Sequence, residues 1–423
     1  MLIMMITHVG TIGSILCKKN KWLSQAKLRQ TGDSSKYVVE APSPDDTLLS
    51  PAGSAGIELK LIKKLGGGAF GSVYLFSHGV HEAAVKVVEN TEYFEESVFT
   101  ILNAPKKSES LLKQQNGAAL VSIFSQIDCR VVYTQIYDVD DKFVFLMERV
   151  DYTALHLAHQ LRNLSNINPD DFIFKMTEIN AIAKYALNIQ HCSMTGPINF
   201  AACDFKLDNI GVSSCEPGDP REYTLIDPDS LVLLVDPTTQ KELQRSYYYP
   251  GAYWLEGARP DTSGNYFVSE VRLNAYFQAI IAIIEFAFFA LRIQERFLPW
   301  YTLFREDGGV KSYLRKSPQD VYHQLIHTIT LLKGQLQPGD STFDRIKGRI
   351  PSKVYSQLGW FCENIKQQLT GFFTLYQDHG MIGFKKAGTN LKYLKRGRKT
   401  LPEVEARLVE FSESWRATLT FRI

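Results

Sequence analysis

From Ile57 to Arg149 apolar and polar residues alternate in short runs, the two-residue period of half-buried strands. The runs predict strands over 57–65, 72–77, 82–88, 119–127, 130–137 and 142–148. One helical stretch interrupts them, from Glu92 to about Leu102, with room to extend through Leu112. Beyond residue 151 the period lengthens to that of helices, over 169–193, 270–294, 318–335 and 352–378, with a β-like island at 209–235. Residues 24–56 are rich in Ser, Gly, Pro, Gln and Asp and poor in large apolar side chains, the composition of a linker. The expectation is an α+β, bilobal chain with a site in the cleft between its lobes. Residues 1–56 form a leader and linker, 57–150 a small strand-rich lobe and 151–300 a larger helical lobe. Residues 301–423 either complete the helical lobe or make an appended module.

Two apolar runs bear on membranes. Residues 1–17 are apolar and precede Lys18, Lys19 and Lys21, but they are short for a span and lack the basic start of a secretory signal. They read as a loosely packed leader. Ala275 to Ile293 is long enough to span, but Gln278 and Glu285 interrupt it, and the reading is a buried central helix. No stable membrane span is expected. Composition is that of a globular chain, 45% hydrophobic and 22% charged, so material for a large core is present. The net charge of +2 argues against broad electrostatic binding to nucleic acid. Six cysteines without metal-ligand spacing suit reduced thiols and a cytoplasmic location, and the nine histidines form no metal-like cluster. The basic run Lys385 to Lys399 reads as a solvated face.

Three motifs carry chemistry. Gly66-Gly67-Gly68-Ala69-Phe70-Gly71-Ser72-Val73-Tyr74 is a glycine-rich turn between strand-like runs, and the returning run Ala83–Val88 holds a single lysine, Lys86. Glycines let backbone N–H groups approach phosphate oxygens, and the lysine supplies a point charge. Cys203 to Val212 places Asp204, Lys206 and Asn209 on a loop entering a strand. Phosphoryl transfer needs a carboxylate at the acceptor hydroxyl, a cation near the transferred group and an oxygen donor for a metal ion. Leu225-Ile226-Asp227-Pro228-Asp229 leads apolar residues into carboxylates able to hold Mg²⁺.

In this order and spacing, from about Ile57 to at least Ile293, the chain resembles the protein-kinase superfamily. The resemblance implies ATP and Mg²⁺ as cofactors. It makes Lys86 the lysine on the α- and β-phosphates, Asp204 the catalytic aspartate, Lys206 the lysine beside the γ-phosphate and Asn209 a metal ligand. Asp227 becomes the aspartate that holds metal, with Asp229 either a further ligand or a turn residue. The residues from Phe143 to Val150 are similar to the fifth strand and hinge, with Met147 as gatekeeper and the backbones of Glu148 and Val150 at the adenine edge. The glutamate that pairs with Lys86 is assigned to Glu95, with Glu96 as the alternative. Ala202-Cys203 stands where the family has His-Arg, so switching by activation-loop phosphorylation is not expected. Pro228-Asp229 replaces Phe-Gly, which stiffens that segment. An enlarged hairpin loop is expected over Ser213–Arg221, and Tyr249-Pro250-Gly251 through Glu256 is only a loose counterpart of the peptide platform. Tyr247, Tyr248 and Tyr249 read as packing residues. The leading expectation is a divergent protein kinase acting on Ser or Thr hydroxyls of a protein substrate. The alternatives are a small-molecule (sugar or lipid) kinase and a nucleotide-binding pseudokinase scaffold. The departures also resemble kinase-like effectors that intracellular bacteria deliver, which would place the chain in a host cytosol.

Overall fold

Ala83–Val88 is apolar on both sides of its lysine because it lies in the middle of a sheet covered on two faces. The sheet has six antiparallel strands in the order β1-β2-β3-β4-β6-β5: β1 (Thr47–Leu48), β2 (Leu59–Gly67), β3 (Gly71–His78), β4 (His81–Val88), β5 (Thr134–Val139) and β6 (Lys142–Glu148). The structure is a computed structural model that describes residues 47–48, 59–67, 71–78, 81–88, 131, 134–139, 142–166, 168–196, 198–214, 221–227, 231–236, 239–243, 267–291, 318–334, 352–379 and 399–418. The leader, the helix expected over Glu92–Leu102 and the strand expected over 119–127 lie outside the described residues, as do the tip of the Ser213–Arg221 hairpin, the tyrosine cluster, the platform counterpart and the basic run up to Arg398.

Register in the sheet is continuous where it matters for the site. Gly71 pairs with Val88, Val73 with Lys86, Ala84 with Met147 and Lys86 with Phe145. The β2–β3 pairing carries two irregularities, between Leu61 and Lys63 and between Lys64 and Gly66. Among the described residues the strand expected at 130–137 begins only at Thr134, and Val131 instead bridges Leu225 in parallel. Thr47–Leu48, inside the stretch read as linker, pairs with Lys60 and Leu59.

The chain divides into two compact units, one taking Met1–Tyr152 with Gly211–Leu231, the other Thr153–Ile210 with Val232–Ile423. The expected β-like island contains β9 (Ile210–Ser213), β10 (Glu222–Leu225) and β11 (Leu231–Leu233). The first two form a small sheet with β7 (Tyr152–Thr153), and β11 pairs with β8 (Phe200–Ala202).

The second unit is built on six described helices: α1 (Ala154–Asn163), α2 (Pro169–Thr195), α3 (Val268–Ala290), α4 (Pro318–Gly334), α5 (Ser352–Asp378) and α6 (Leu401–Thr418). Thr153 caps α1 by accepting from the His156 N–H, and Asn168 caps α2 by accepting from the Asp170 N–H, with Pro169 in the first turn. All of α3 is buried, so its long apolar run packs against protein, and the helix is also long and apolar enough to cross a membrane. It packs against α1, α2, α5 and α6, and α5 also packs on α4 and α6. Fully buried Arg272 of α3 is held by Ser193, Asn199 and Glu405, so α6 supplies part of the unit's interior charge balance. Cys203 and Cys362 are free and buried, but Cys192 is disulfide-bonded, a departure from the reduced state expected for all six thiols.

Candidate active-site residues

In the first unit one face of the sheet forms a shelf around Lys86. Alternation along β4 puts Ala84, Lys86 and Val88 on that face, and the register brings Phe145 and Met147 of β6 beside them. Ala84, Val88, Phe145 and Met147 form one buried apolar cluster, with Val73 and Ile226 packed against it. Lys86 Nζ donates to Asp227 Oδ1 at 2.5 Å, and the two side chains are only 12% and 24% exposed. The shelf therefore presents a paired cation and carboxylate beside an apolar cluster. The sequence reading named Val73 and Met147 but missed Ala84 and Ile226. The signal was present: Ala84 stands two residues before Lys86 on the same strand face, and Ile226 immediately precedes Asp227.

The end of β6 is where the resemblance puts a hinge. Glu148 is buried, Val150 is half-buried, and Arg149 donates to Glu82 across the β4–β6 pair. Val150 and Ile226 crowd Gly211 of β9: a Cβ there would lie 2.6 Å from Val150 Cγ1 and 2.5 Å from Ile226 Cγ2. Gly71 is demanded by strand pairing alone, since its Cβ would fall 2.0 Å from the Val87 carbonyl oxygen. Gly66 has open space around it, and Gly67 meets Lys64 and Ser72 only at ordinary contact distance, so packing does not explain either. Gly68, Ala69 and Phe70 lie outside the described residues, as do Glu95, Glu96 and Asp229.

In the second unit β8 ends at Ala202, Cys203 and Asp204 follow it, and the chain then makes one 3₁₀ turn over Leu207–Asn209 before β9. That turn folds Asn209 back onto Asp204. The Asn209 Nδ2 donates to the Asp204 carbonyl at 2.8 Å and to its Oδ2 at 3.0 Å, while Lys206 Nζ reaches the same Oδ2 at 2.6 Å. Asp204 and Asn209 are buried; the Lys206 side chain is 31% exposed. The three residues picked from sequence spacing are thus one hydrogen-bonded group. Two donors converge on one carboxylate oxygen, the arrangement that orients a carboxylate for proton transfer. Cys203 directs its thiol to the Ala201 carbonyl at 3.8 Å and is buried.

Among the described residues no three His, Cys, Asp or Glu side chains gather as a metal cage. The candidate metal ligands are single oxygen donors. Asp227 offers a carboxylate. The double donation by the Asn209 amide nitrogen fixes the orientation of its oxygen. Hard oxygen donors used one or two at a time, with phosphates completing the shell, are what Mg²⁺ takes.

The chain's fold is α+β: an antiparallel sheet with a lysine on its third long strand, and a helical unit in which β8 leads into an aspartate loop. No protein-family model matches the chain, and no curated protein matches it. Among solved structures it is similar to a double mutant of the PknI kinase domain of Mycobacterium tuberculosis, at 14% identity and a TM-score of 0.35, over 75% of this chain and 100% of that one. Vaccinia related kinase 3 is 10% identical over 78% of this chain and 93% of its own, with a TM-score of 0.39. The BubR1 kinase domain is 17% identical over 76% of this chain and 90% of its own, also with a TM-score of 0.39. Scores of this size carry no residue-by-residue correspondence, so the chemistry rests on the groups described above.

Proposed function

We propose that this chain is a divergent ATP- and Mg²⁺-dependent protein kinase that transfers the γ-phosphate to Ser or Thr hydroxyls. The observation that carries the reading is the Asp204–Lys206–Asn209 group, in which a lysine and an amide fix one carboxylate oxygen within a buried turn. A carboxylate so held accepts the proton of an acceptor hydroxyl as that oxygen attacks. The half-exposed Lys206 supplies positive charge to the transferring phosphoryl group. Lys86 binds phosphate oxygens, and the shelf of Val73, Ala84, Met147 and Ile226 takes the apolar face of a purine. Gly66 and Gly67, which no packing contact requires, keep Cβ atoms out of the way of a phosphate approaching this strand end. Asp227 and Asn209 each offer an oxygen donor of the kind Mg²⁺ takes, and the ion would neutralise phosphate charge. The buried thiol of Cys203, where an arginine would hold a phosphorylated loop, supports activity that is not switched by activation-loop phosphorylation. The same reading places the protein in a cytoplasm, the host's if it is a delivered effector.

A pseudokinase scaffold is the second reading, and the Lys86–Asp227 pair favours it: the lysine already occupies one oxygen of the carboxylate that would meet the metal. Thermal stabilisation by ATP, with and without Mg²⁺, separates the two. For a kinase, Mg²⁺ increases the ATP-dependent shift in the wild type, Asp227→Ala abolishes that increase, and Lys86→Met weakens the shift itself. A shift that ignores Mg²⁺ in the wild type supports the scaffold instead.

A further inference from the structure

Helix α3 is buried along its whole length, and its residues from Ala275 to Ala290 are apolar except at Gln278 and Glu285. Gln278 is fully buried, and its Oε1 accepts from the Phe205 backbone N–H at 2.9 Å. Its Nε2 is buried and, among the described residues, has no hydrogen-bond partner. An unsatisfied buried amide donor is unfavourable, so an apolar residue here would suit the helix better unless the Oε1 contact is needed. The bonded N–H belongs to the same peptide unit as the Asp204 carbonyl, and that carbonyl accepts from Asn209 Nδ2 at 2.8 Å. The Asp204–Phe205 peptide is therefore gripped at both ends, from the turn by Asn209 and from the helix by Gln278. The Phe205 side chain is fully buried as well. Rotation of this peptide would swing the Asp204 carboxylate, because the backbone on its C-terminal side turns with it.

We infer that Gln278 is a positioning residue for Asp204, fixing the carboxylate through the Asp204–Phe205 peptide plane from a rigid helix. The inference rests on the reading of Asp204 as the catalytic aspartate. It assigns a task to a buried polar group that stability alone would discard. Gln278 touches no reacting atom and acts only through the peptide.

The test compares wild type with Gln278→Met, which keeps the length but removes the acceptor, and Gln278→Glu, which retains an acceptor oxygen. Amide hydrogen exchange at Phe205 reads the grip directly and needs no activity. Gln278→Met should expose that amide while the α3 amides and the unfolding midpoint stay as in wild type, and Gln278→Glu should restore protection. In the phosphotransfer assay kcat should fall on the order of tenfold in Gln278→Met with KM for ATP unchanged, and Gln278→Glu should recover it. Unchanged Phe205 protection in Gln278→Met overturns the inference, as does wild-type kcat in that variant. A kcat loss that tracks a lower unfolding midpoint and is not rescued by Gln278→Glu also overturns it, by reducing Gln278 to a packing residue. If wild type transfers no phosphate, the proposed function fails, and the exchange measurement still decides whether Gln278 grips the peptide.

Discussion

Removing the carboxylate of Glu405 should unfold the helical unit far more readily than its position on the last described helix suggests. Arg272 is fully buried, and its Nε donates to Glu405 Oε1 at 2.9 Å. Its other nitrogens reach only neutral acceptors: Ser193 Oγ at 2.8 Å, the Ser193 carbonyl at 3.0 Å and Asn199 Oδ1 at 2.7 Å. Asn199 Nδ2 donates in turn to both Glu405 oxygens, at 2.9 and 3.0 Å. Burial pushes the Arg272 pKa down and Glu405 pulls it back up, so the carboxylate is the group that keeps this guanidinium charged at tolerable cost. Glu405→Ala leaves an uncompensated buried charge, a loss of about 3–5 kcal/mol. A domain's whole stability is roughly 5–15 kcal/mol, so that is a large fraction. The internal control is Lys333–Glu363, a 3.0 Å pair whose side chains are 40% and 49% exposed. Solvent screening there limits Glu363→Ala to about 0–1 kcal/mol. Urea unfolding followed by far-UV circular dichroism on both variants reads the difference, and Arg272→Met combined with Glu405→Leu should recover much of the loss. A Glu405→Ala midpoint no lower than that of Glu363→Ala would refute the reasoning and return residues 401–418 to the status of an appendage.

Two further predictions concern different parts of the chain. Gly211→Ala forces its new Cβ against Val150 and Ile226, two stiff branched side chains, which should destabilise the first unit by about 1–3 kcal/mol. Because Ile226 adjoins Asp227, the same variant should lose the Mg²⁺-dependent part of ATP stabilisation; full retention in thermal shift would argue against the coupling. His191 has its pKa lowered from 6.5, first by burial and then by Arg416, with Glu413 opposing. The folded state thus resists protonation, so stability is complete above the unfolded pKa and falls as pH drops below it. His191→Gln should flatten urea midpoints between about pH 7 and 5, and an unchanged acid slope would show that another group sets it.

The regular elements were legible wherever a long apolar stripe reports a buried face. Helices at 318–334 and 352–378 match their periodicity closely, and α2 starts at the capped Pro169 that the pattern selects. The start of α3 was misplaced by two residues because Phe267 caps it without a side-chain hydrogen bond, leaving no polar residue to mark the boundary. Two helices were not assigned although their signals exist. Ala154, Leu157, Ala158 and Leu161 have helical spacing behind the Thr153 cap, but the run is only ten residues long. Thr400 and Glu403 make a capping box, with the Thr400 N–H and hydroxyl both donating to Glu403 Oε2. The Asp204–Lys206–Asn209 group was readable because its members lie within one turn. Contacts such as Arg272–Glu405, Gln278–Phe205 and Gly211 against Val150 join residues far apart in sequence, and no local pattern announces them.

The most direct test of phosphoryl transfer is incubation of the purified protein with γ-labelled ATP and Mg²⁺, alone and with generic protein and small-molecule acceptors, beside Asp204→Asn. Mass spectrometry then locates the label. The account predicts phosphate on Ser or Thr hydroxyls with wild type and none with Asp204→Asn, while both proteins retain ATP-dependent thermal stabilisation. Equal labelling by Asp204→Asn would contradict it, as would nucleotide binding by wild type with no label on any acceptor.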